Sequence, residues 1–70
     1  MALAKNLLKE HRERLGLTQE KLAESVHVSR QTIISIEVGR YVPSLELALQ
    51  FAQVFHCRVE DLFGISGGEK

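Results

Sequence analysis

Apolar residues recur every three or four positions through most of this chain, which is the spacing of amphipathic helices. Serine or threonine stands before three of the periodic segments, at Thr18, Ser29 and Ser44. At such positions the side-chain oxygen accepts a hydrogen bond from the first helical turn. The pattern predicts a compact all-α fold with helices at residues 5–15, 19–25, 30–38, 45–55 and 59–63.

The stretch from residue 18 to residue 38 contains two predicted helices joined by a short turn. At about 100° per residue, the second helix places Ile33 and Ile36 on one side and Arg30 and Gln31 on the other. Arginine and glutamine can bond guanine and adenine edges with two hydrogen bonds each. Two short helices in this order are typical of a helix-turn-helix, which lays its second helix in the DNA major groove. The alternative is an ordinary solvated helix face.

Several short motifs, in order and at matching spacing, resemble the Cro/C1-type helix-turn-helix (XRE) family of transcriptional regulators. They are Leu17-Thr18-Gln19-Glu20, Leu22-Ala23, Val28-Ser29-Arg30-Gln31-Thr32-Ile33, Ile36-Glu37 and Gly39-Arg40, with Arg12 and Gly16 upstream and Pro43-Ser44-Leu45 and Asp61-Leu62-Phe63 downstream. The resemblance covers roughly residues 5–63. It implies a lambda-repressor-like five-helix domain over residues 1–65 with double-stranded DNA as partner, and residues 66–70 are expected to form a flexible tail.

The resemblance also implies roles for individual side chains. It places base contacts at Arg30, Gln31, Ile34 and Ser35, and phosphate contacts at Thr18, Gln19 and Arg40. It implies an ion pair between Arg12 and Glu37 that clamps the first helix to the third. The last helix implies a homodimer, with its interface at Leu62, Phe63 and Ile65.

Five positions depart from the family pattern or leave their role open, and one of them is Ile34, which stands where a small or polar residue is common. His27 replaces a glycine at a position that tends to need a positive φ, which histidine tolerates at some cost. Val38 replaces an asparagine that donates to phosphate in relatives, and Arg58 stands where a helix-capping residue is common. Tyr41 has two interpretations, contact with DNA sugar or phosphate and packing over its own loop.

Charge and composition qualify this interpretation. Seventy residues suit one domain, and a net charge of zero argues mildly against a nucleic-acid partner. Residues 1–42, however, carry seven Lys or Arg and five Asp or Glu, so the positive half contains the helix-turn-helix. Modest neutralisation of phosphates is therefore expected.

Other classes of protein find little support in the sequence. The lone Cys57 excludes an internal disulfide and fits a reducing, cytoplasmic location. No apolar run approaches the ~20 residues of a membrane span. The histidines and Cys57 lack the short paired spacings of a zinc site, so no metal is expected. The sequence also has no phosphate-binding loop or nucleophile–base pair, so no cofactor, small-molecule ligand or enzyme activity is expected.

The predicted function is sequence-specific DNA binding by a transcriptional regulator, expected to repress by occupying a palindromic operator as a homodimer. Two alternatives in the same fold are an antitoxin and a controller protein of a restriction-modification system. A third is a protein-interaction module that no longer binds DNA, which zero net charge and Val38 favour slightly.

Overall fold

The computed structural model describes residues 3–65, so the predicted tail at 66–70 lies outside the described residues. Five helices confirm the all-α fold, and two short strands accompany them. The elements are β1 (Lys5–Asn6), α1 (Leu8–Arg14), α2 (Gln19–Ser25), α3 (Arg30–Glu37), α4 (Leu45–Phe55), α5 (Val59–Leu62) and β2 (Phe63–Gly64). No helix in this range has both the length and the apolar character to cross a bilayer.

The two strands join the beginning of the described chain to its end. β1 pairs antiparallel with β2, with Lys5 opposite Gly64 and Asn6 opposite Phe63. The backbone N–H of Leu7 donates to the carbonyl of Leu62 at 2.8 Å. The first helix was predicted to begin at residue 5, and this was wrong because the backbone of residues 5–6 is already paired with the C-terminal strand.

One apolar cluster forms the core. Ile33 and Ile36 of α3 are fully buried, and the ring of Phe51 lies 6.3 Å from that of Phe63. The apolar side that periodicity predicted for α3 faces this cluster, and so does one side of α4. Its members are Leu8, Leu22, Ala23, Val26, Ile33, Ile36, Leu47, Ala48, Phe51, Ala52, Leu62 and Phe63.

The predicted dimer interface needs correction at two of its three residues. Leu62 is 0% exposed and Phe63 is 8% exposed, because α5 and β2 turn both side chains into the core of their own chain. Leu62 therefore offers no surface to a second subunit, and Phe63 offers only its small exposed part. Of the three residues, Ile65 is the one on the surface, with 61% of its area exposed.

The first four helices end in the same way, with a left-handed residue after the last turn. These residues are Gly16, His27, Gly39 and His56, with φ of 73°, 60°, 84° and 53°. The residue after each donates its N–H to a carbonyl five positions back, as in a Schellman motif. These bonds run from Leu17 to Arg12, Val28 to Ala23, Arg40 to Ser35 and Cys57 to Ala52. His27 therefore has the positive φ that the sequence comparison indicated.

The last helix starts without a serine or threonine cap. Instead, the backbone N–H of Arg58 donates to Oδ2 of Asp61 at 3.0 Å. The carboxylate of Asp61 lies in the first turn, where negative charge is also favourable for the helix dipole. Asp61 thus stabilises the start of α5, where the side chain of Arg58 makes no capping hydrogen bond.

Candidate nucleic-acid interface

The α2–α3 unit is fixed at both helix starts by its own side chains. Oγ1 of Thr18 accepts from the N–H of Lys21 at 3.0 Å, and Oγ of Ser29 accepts from the N–H of Thr32 at 3.2 Å. A side-chain cap of this kind typically stabilises a helix by about 1 kcal/mol. Residues 26–29 connect the two helices. The result is a helix-turn-helix whose second helix begins sharply at Arg30.

The outward side of α3 carries the residues predicted to contact bases. Arg30 and Gln31 are exposed at the start of the helix, and Ile34 and Ser35 are half-buried one turn later. Val38 follows at the end of the same face and is also exposed. The four residues therefore share one accessible surface, which we call the α3 face: Arg30, Gln31, Ile34 and Ser35.

A buried ion pair holds α3 against α1. Nε of Arg12 lies 2.7 Å from Oε2 of Glu37, and the two side chains are only 10% and 3% exposed. Nη1 of Arg12 also donates to the carbonyl of Leu17 at 2.7 Å. The buried polar atoms are thus satisfied, which is the condition under which a buried pair is tolerated. The pair connects α1, the loop after it and the C-terminal end of α3.

Gln19 joins this network from the beginning of α2. Its Nε2 donates to Oε1 of Glu37 at 3.1 Å, so one carboxylate holds groups from α1 and α2. A side-chain amide has two N–H donors, so a second donor remains for another acceptor. Gln19 therefore acts as a brace for α3 in the structure, at the edge of α3 where Glu37 lies.

Asn6 is a supporting residue that the sequence did not reveal. Its Nδ2 donates to the carbonyl of Ile36 at 2.7 Å, and its Oδ1 accepts from the N–H of Leu8 at 3.3 Å. It therefore links the strand pair, the start of α1 and the last turn of α3. An asparagine before a helix is a common local signal, but nothing local identifies Ile36 as its partner.

The remaining phosphate-contact candidates are accessible. Thr18 is exposed, and its hydroxyl accepts the capping bond while keeping a proton to donate. Arg40 is exposed just past the end of α3, where Gly39 turns the chain. Arg40 thus lies in the segment that follows α3, only five residues after Ser35 of the α3 face.

Within the described range, no three His, Cys, Asp or Glu side chains converge as a metal site would require. Burial raises the pKa of the Cys57 thiol, and the nearby Asp61 carboxylate raises it further. A raised pKa keeps the thiol protonated, the less nucleophilic form.

The helix-turn-helix family model matches residues 8–62. The chain is 54% identical over 59 residues to the HTH-type transcriptional regulator YgzD of Bacillus subtilis. This alignment covers 84% of this chain and 89% of the relative. It is 55% identical over 60 residues to an HTH-type transcriptional regulator of Methanothermobacter thermautotrophicus, covering 84% and 87% of the two chains.

The fold is also similar to a solved structure, the restriction-modification controller protein C.AhdI from Aeromonas hydrophila. The TM-score is 0.74 at 32% identity, over 80% of this chain and 85% of that one. With an exposed recognition helix on a helix-turn-helix frame, the chain belongs to the Cro/C1-type (XRE) helix-turn-helix family of DNA-binding transcriptional regulators.

Proposed function

We propose that this protein reads a specific DNA sequence by laying α3 in the major groove and regulates transcription by occupying that site. The observation that supports this most strongly is the α3 face. Arg30 and Gln31 are exposed on it, while the Arg12–Glu37 pair fixes the helix behind it. Binding side chains on a rigid support lose less entropy on association, so a held helix is suited to specific recognition.

The chemistry of the α3 face suggests which groups it reads. Arg30 is suited to O6 and N7 of guanine, and Gln31 to N6 and N7 of adenine. Ile34 offers apolar contact to a thymine methyl, and Ser35 can donate to or accept from a base edge. Each good two-bond pair is worth about 1–3 kcal/mol of discrimination, so we assign most of the specificity to Arg30 and Gln31.

Thr18, Gln19 and Arg40 are proposed to contact phosphates and set the register of α3 on the duplex. Arg40 is the one cation among them. The affinity for DNA should therefore fall with salt concentration, but with the modest slope of a protein that neutralises few phosphates.

We propose that two copies pair through an apolar surface on α4 and the segments beside it. Leu45, 71% exposed, and Leu49 lie one turn apart on α4, and Val42 and Ile65 are also exposed. Val42 and Leu45 border a shallow apolar groove of about 280 Å³ whose floor includes Phe63. We call Val42, Leu45, Leu49 and Ile65 the α4 patch. Exposed apolar clusters of this kind often mark protein interfaces, and a small core is commonly supplemented by one.

A two-fold dimer would present two α3 helices to successive major grooves, about 34 Å apart. Its operator would then be a palindrome. Bound near a promoter in the cytoplasm, such a dimer would repress by obstructing the polymerase.

The experiment that tests this proposal is selection of bound duplexes from a randomised pool at near-physiological salt, followed by sequencing. We expect a palindromic motif whose half-sites are about 10 base pairs apart. A single unpaired motif would support DNA reading but reject the dimer. Folded protein that enriches no sequence would reject the proposed function and favour an interaction module.

A controller protein of a restriction-modification system is a second candidate, because C.AhdI carries that role and resembles this chain in sequence and fold. The selected motif can be compared with the DNA upstream of the gene for this chain and of its neighbours. A match before adjacent methyltransferase and endonuclease genes would support a controller, and a match elsewhere would reject it.

A further inference from the structure

The chain that follows α3 folds back against the recognition helix. The backbone N–H groups of Arg40 and Tyr41 both donate to the carbonyl of Ser35, at 2.9 Å and 3.3 Å. The side chain of Tyr41 is 48% exposed. It borders a shallow notch of about 230 Å³ whose other walls are Ser29, Gln31, Thr32 and Ser35. Tyr41 therefore stands beside the α3 face and lines the same notch as Gln31.

The two edges of the α3 face have different neighbours. Glu37, bonded to Gln19 of α2, marks one edge. At about 100° per residue, Ser35 and Thr32 lie on the opposite edge, with Arg30 and Gln31 between the two. A major groove about 12 Å wide has a sugar-phosphate strand along each side of an inserted helix. With α3 in such a groove, Gln19 would face one strand and Tyr41 the other.

The notch is lined by neutral polar side chains. The hydroxyls of Ser29 and Thr32 bond to each other at 3.0 Å. The phenol of Tyr41 is an O–H donor on a rigid ring with few rotatable bonds. A phosphate oxygen accepts strongly from such a donor because the acceptor is charged.

We propose that the hydroxyl of Tyr41 donates a hydrogen bond to a phosphate of the DNA strand that runs along the Gln31–Ser35 edge of α3. The contact makes Tyr41 a DNA-contact residue of its own. This inference rests on the proposed function, since it needs α3 to lie in the major groove.

A neutral donor leaves a signature that separates Tyr41 from Arg40, its neighbour in the chain. Salt dependence of DNA binding comes from counterions released when a protein cation neutralises a phosphate. The phenol carries no charge, so its loss weakens binding equally at every salt concentration. Loss of the Arg40 guanidinium instead lowers the salt slope by about one.

The test begins with the dissociation constant of the wild type and of Tyr41→Phe on the selected duplex, from about 50 to 200 mM salt. The substitution removes the hydroxyl and keeps the ring, and Arg40→Ala serves as the charged comparison. We expect Tyr41→Phe to bind about tenfold more weakly with an unchanged salt slope. Thermal unfolding of wild type and both variants checks that the fold is retained. Wild-type affinity in Tyr41→Phe, or a reduced slope, would overturn the inference.

A second arm identifies the phosphate. Duplexes in which one phosphate at a time is replaced by a methylphosphonate are bound to wild type and Tyr41→Phe. We expect one position on the strand facing Tyr41 where the replacement weakens the wild type and leaves Tyr41→Phe unchanged. Equal losses in both proteins at every position would overturn the contact while leaving DNA reading intact. Failure of the wild type to select any sequence would instead reject the proposed function itself.

Discussion

At the scale of single residues, the orientation of α3 depends on a few buried polar bonds. Glu37 accepts from both Arg12 and Gln19, and Asn6 donates to the carbonyl beside it, at Ile36. Of these side chains, Gln19 alone is also proposed to contact DNA, through a phosphate. They control the angle at which Arg30 and Gln31 are presented, so their loss should change both stability and recognition.

Arg12→Ala should lower the free energy of unfolding by about 3–5 kcal/mol, because it leaves the Glu37 carboxylate buried without its cation. Urea denaturation measures the change. Arg14→Ala is the matched control on the same helix, since Arg14 is exposed and should change stability by less than about 0.5 kcal/mol. If the two variants lost similar free energies of unfolding, the buried ion pair would contribute no more to stability than an exposed arginine does.

Arg30→Ala should weaken binding to the selected duplex by about 1–3 kcal/mol and relax the preference at one base pair. The reason is that a base contact carries sequence information and a phosphate contact does not. Arg40→Ala is the comparison, and should weaken binding to every duplex alike. Binding titrations on the selected and on scrambled duplexes distinguish them, and equal losses on both for Arg30→Ala would remove it from the base-contact set.

At the scale of elements, the helices are defined mainly by how they start and stop. Helices α2, α3 and α4 each follow an N-cap residue whose side-chain oxygen accepts a hydrogen bond from the first turn. These caps are Thr18, Ser29 and Ser44. Four helices end at a left-handed residue, which is glycine twice and histidine twice. A side chain with a Cβ is strained in that conformation, whereas glycine is not. The helix ends at His27 and His56 are therefore less stable than they would be with glycine at the same positions.

Replacement of His27 or His56 by glycine should raise the free energy of unfolding by about 1 kcal/mol each, because the left-handed strain is removed. Thermal unfolding measures the gain. The reverse control is Gly16→Ala, which introduces the same strain without a clash, since no atom lies within 4 Å of the added Cβ. It should destabilise by a similar amount. A gain at neither histidine would mean that contacts of the imidazole rings offset the strain.

At the scale of the whole molecule, the α4 patch is an exposed apolar surface that we propose is covered by a second copy of the chain. Leu62 and Phe63 belong to the core, so a charge there would disrupt the monomer and would not test a dimer. Leu45 and Leu49 are exposed and contribute little to that core. Substitution on the α4 patch therefore separates association from folding.

Leu45→Glu should convert a dimer to a monomer, because two charges would meet across an apolar contact. Light scattering measures the molecular mass and so detects the change. Gln31→Glu, which adds the same charge at an exposed position on α3 and outside the α4 patch, is the control and should stay dimeric. Dimeric Leu45→Glu would remove the α4 patch from the proposed interface. A monomeric wild type at micromolar concentration would reject the homodimer itself.

Apart from the start of α1, the sequence alone determined where the helices lie, and it also gave the caps at Thr18, Ser29 and Ser44, the inward apolar side of α3 and the outward position of Arg30 and Gln31. These features depend on residues within a turn or two of one another, so spacing and local hydrogen bonding are sufficient to predict them. The family resemblance added the pairing of Arg12 with Glu37, which are 25 residues apart.

Only the tertiary structure decided the features that join distant parts of the chain. It paired Lys5 with Gly64, turned Leu62 and Phe63 inward, gave Asn6 its partner at Ile36 and placed Tyr41 beside Gln31. Two-residue strands carry no periodicity of their own, and a hydrophobic side chain near a chain end has the same local pattern whether it faces core or solvent. Its burial depends on which surfaces the other helices leave open, and that is known only once they have packed.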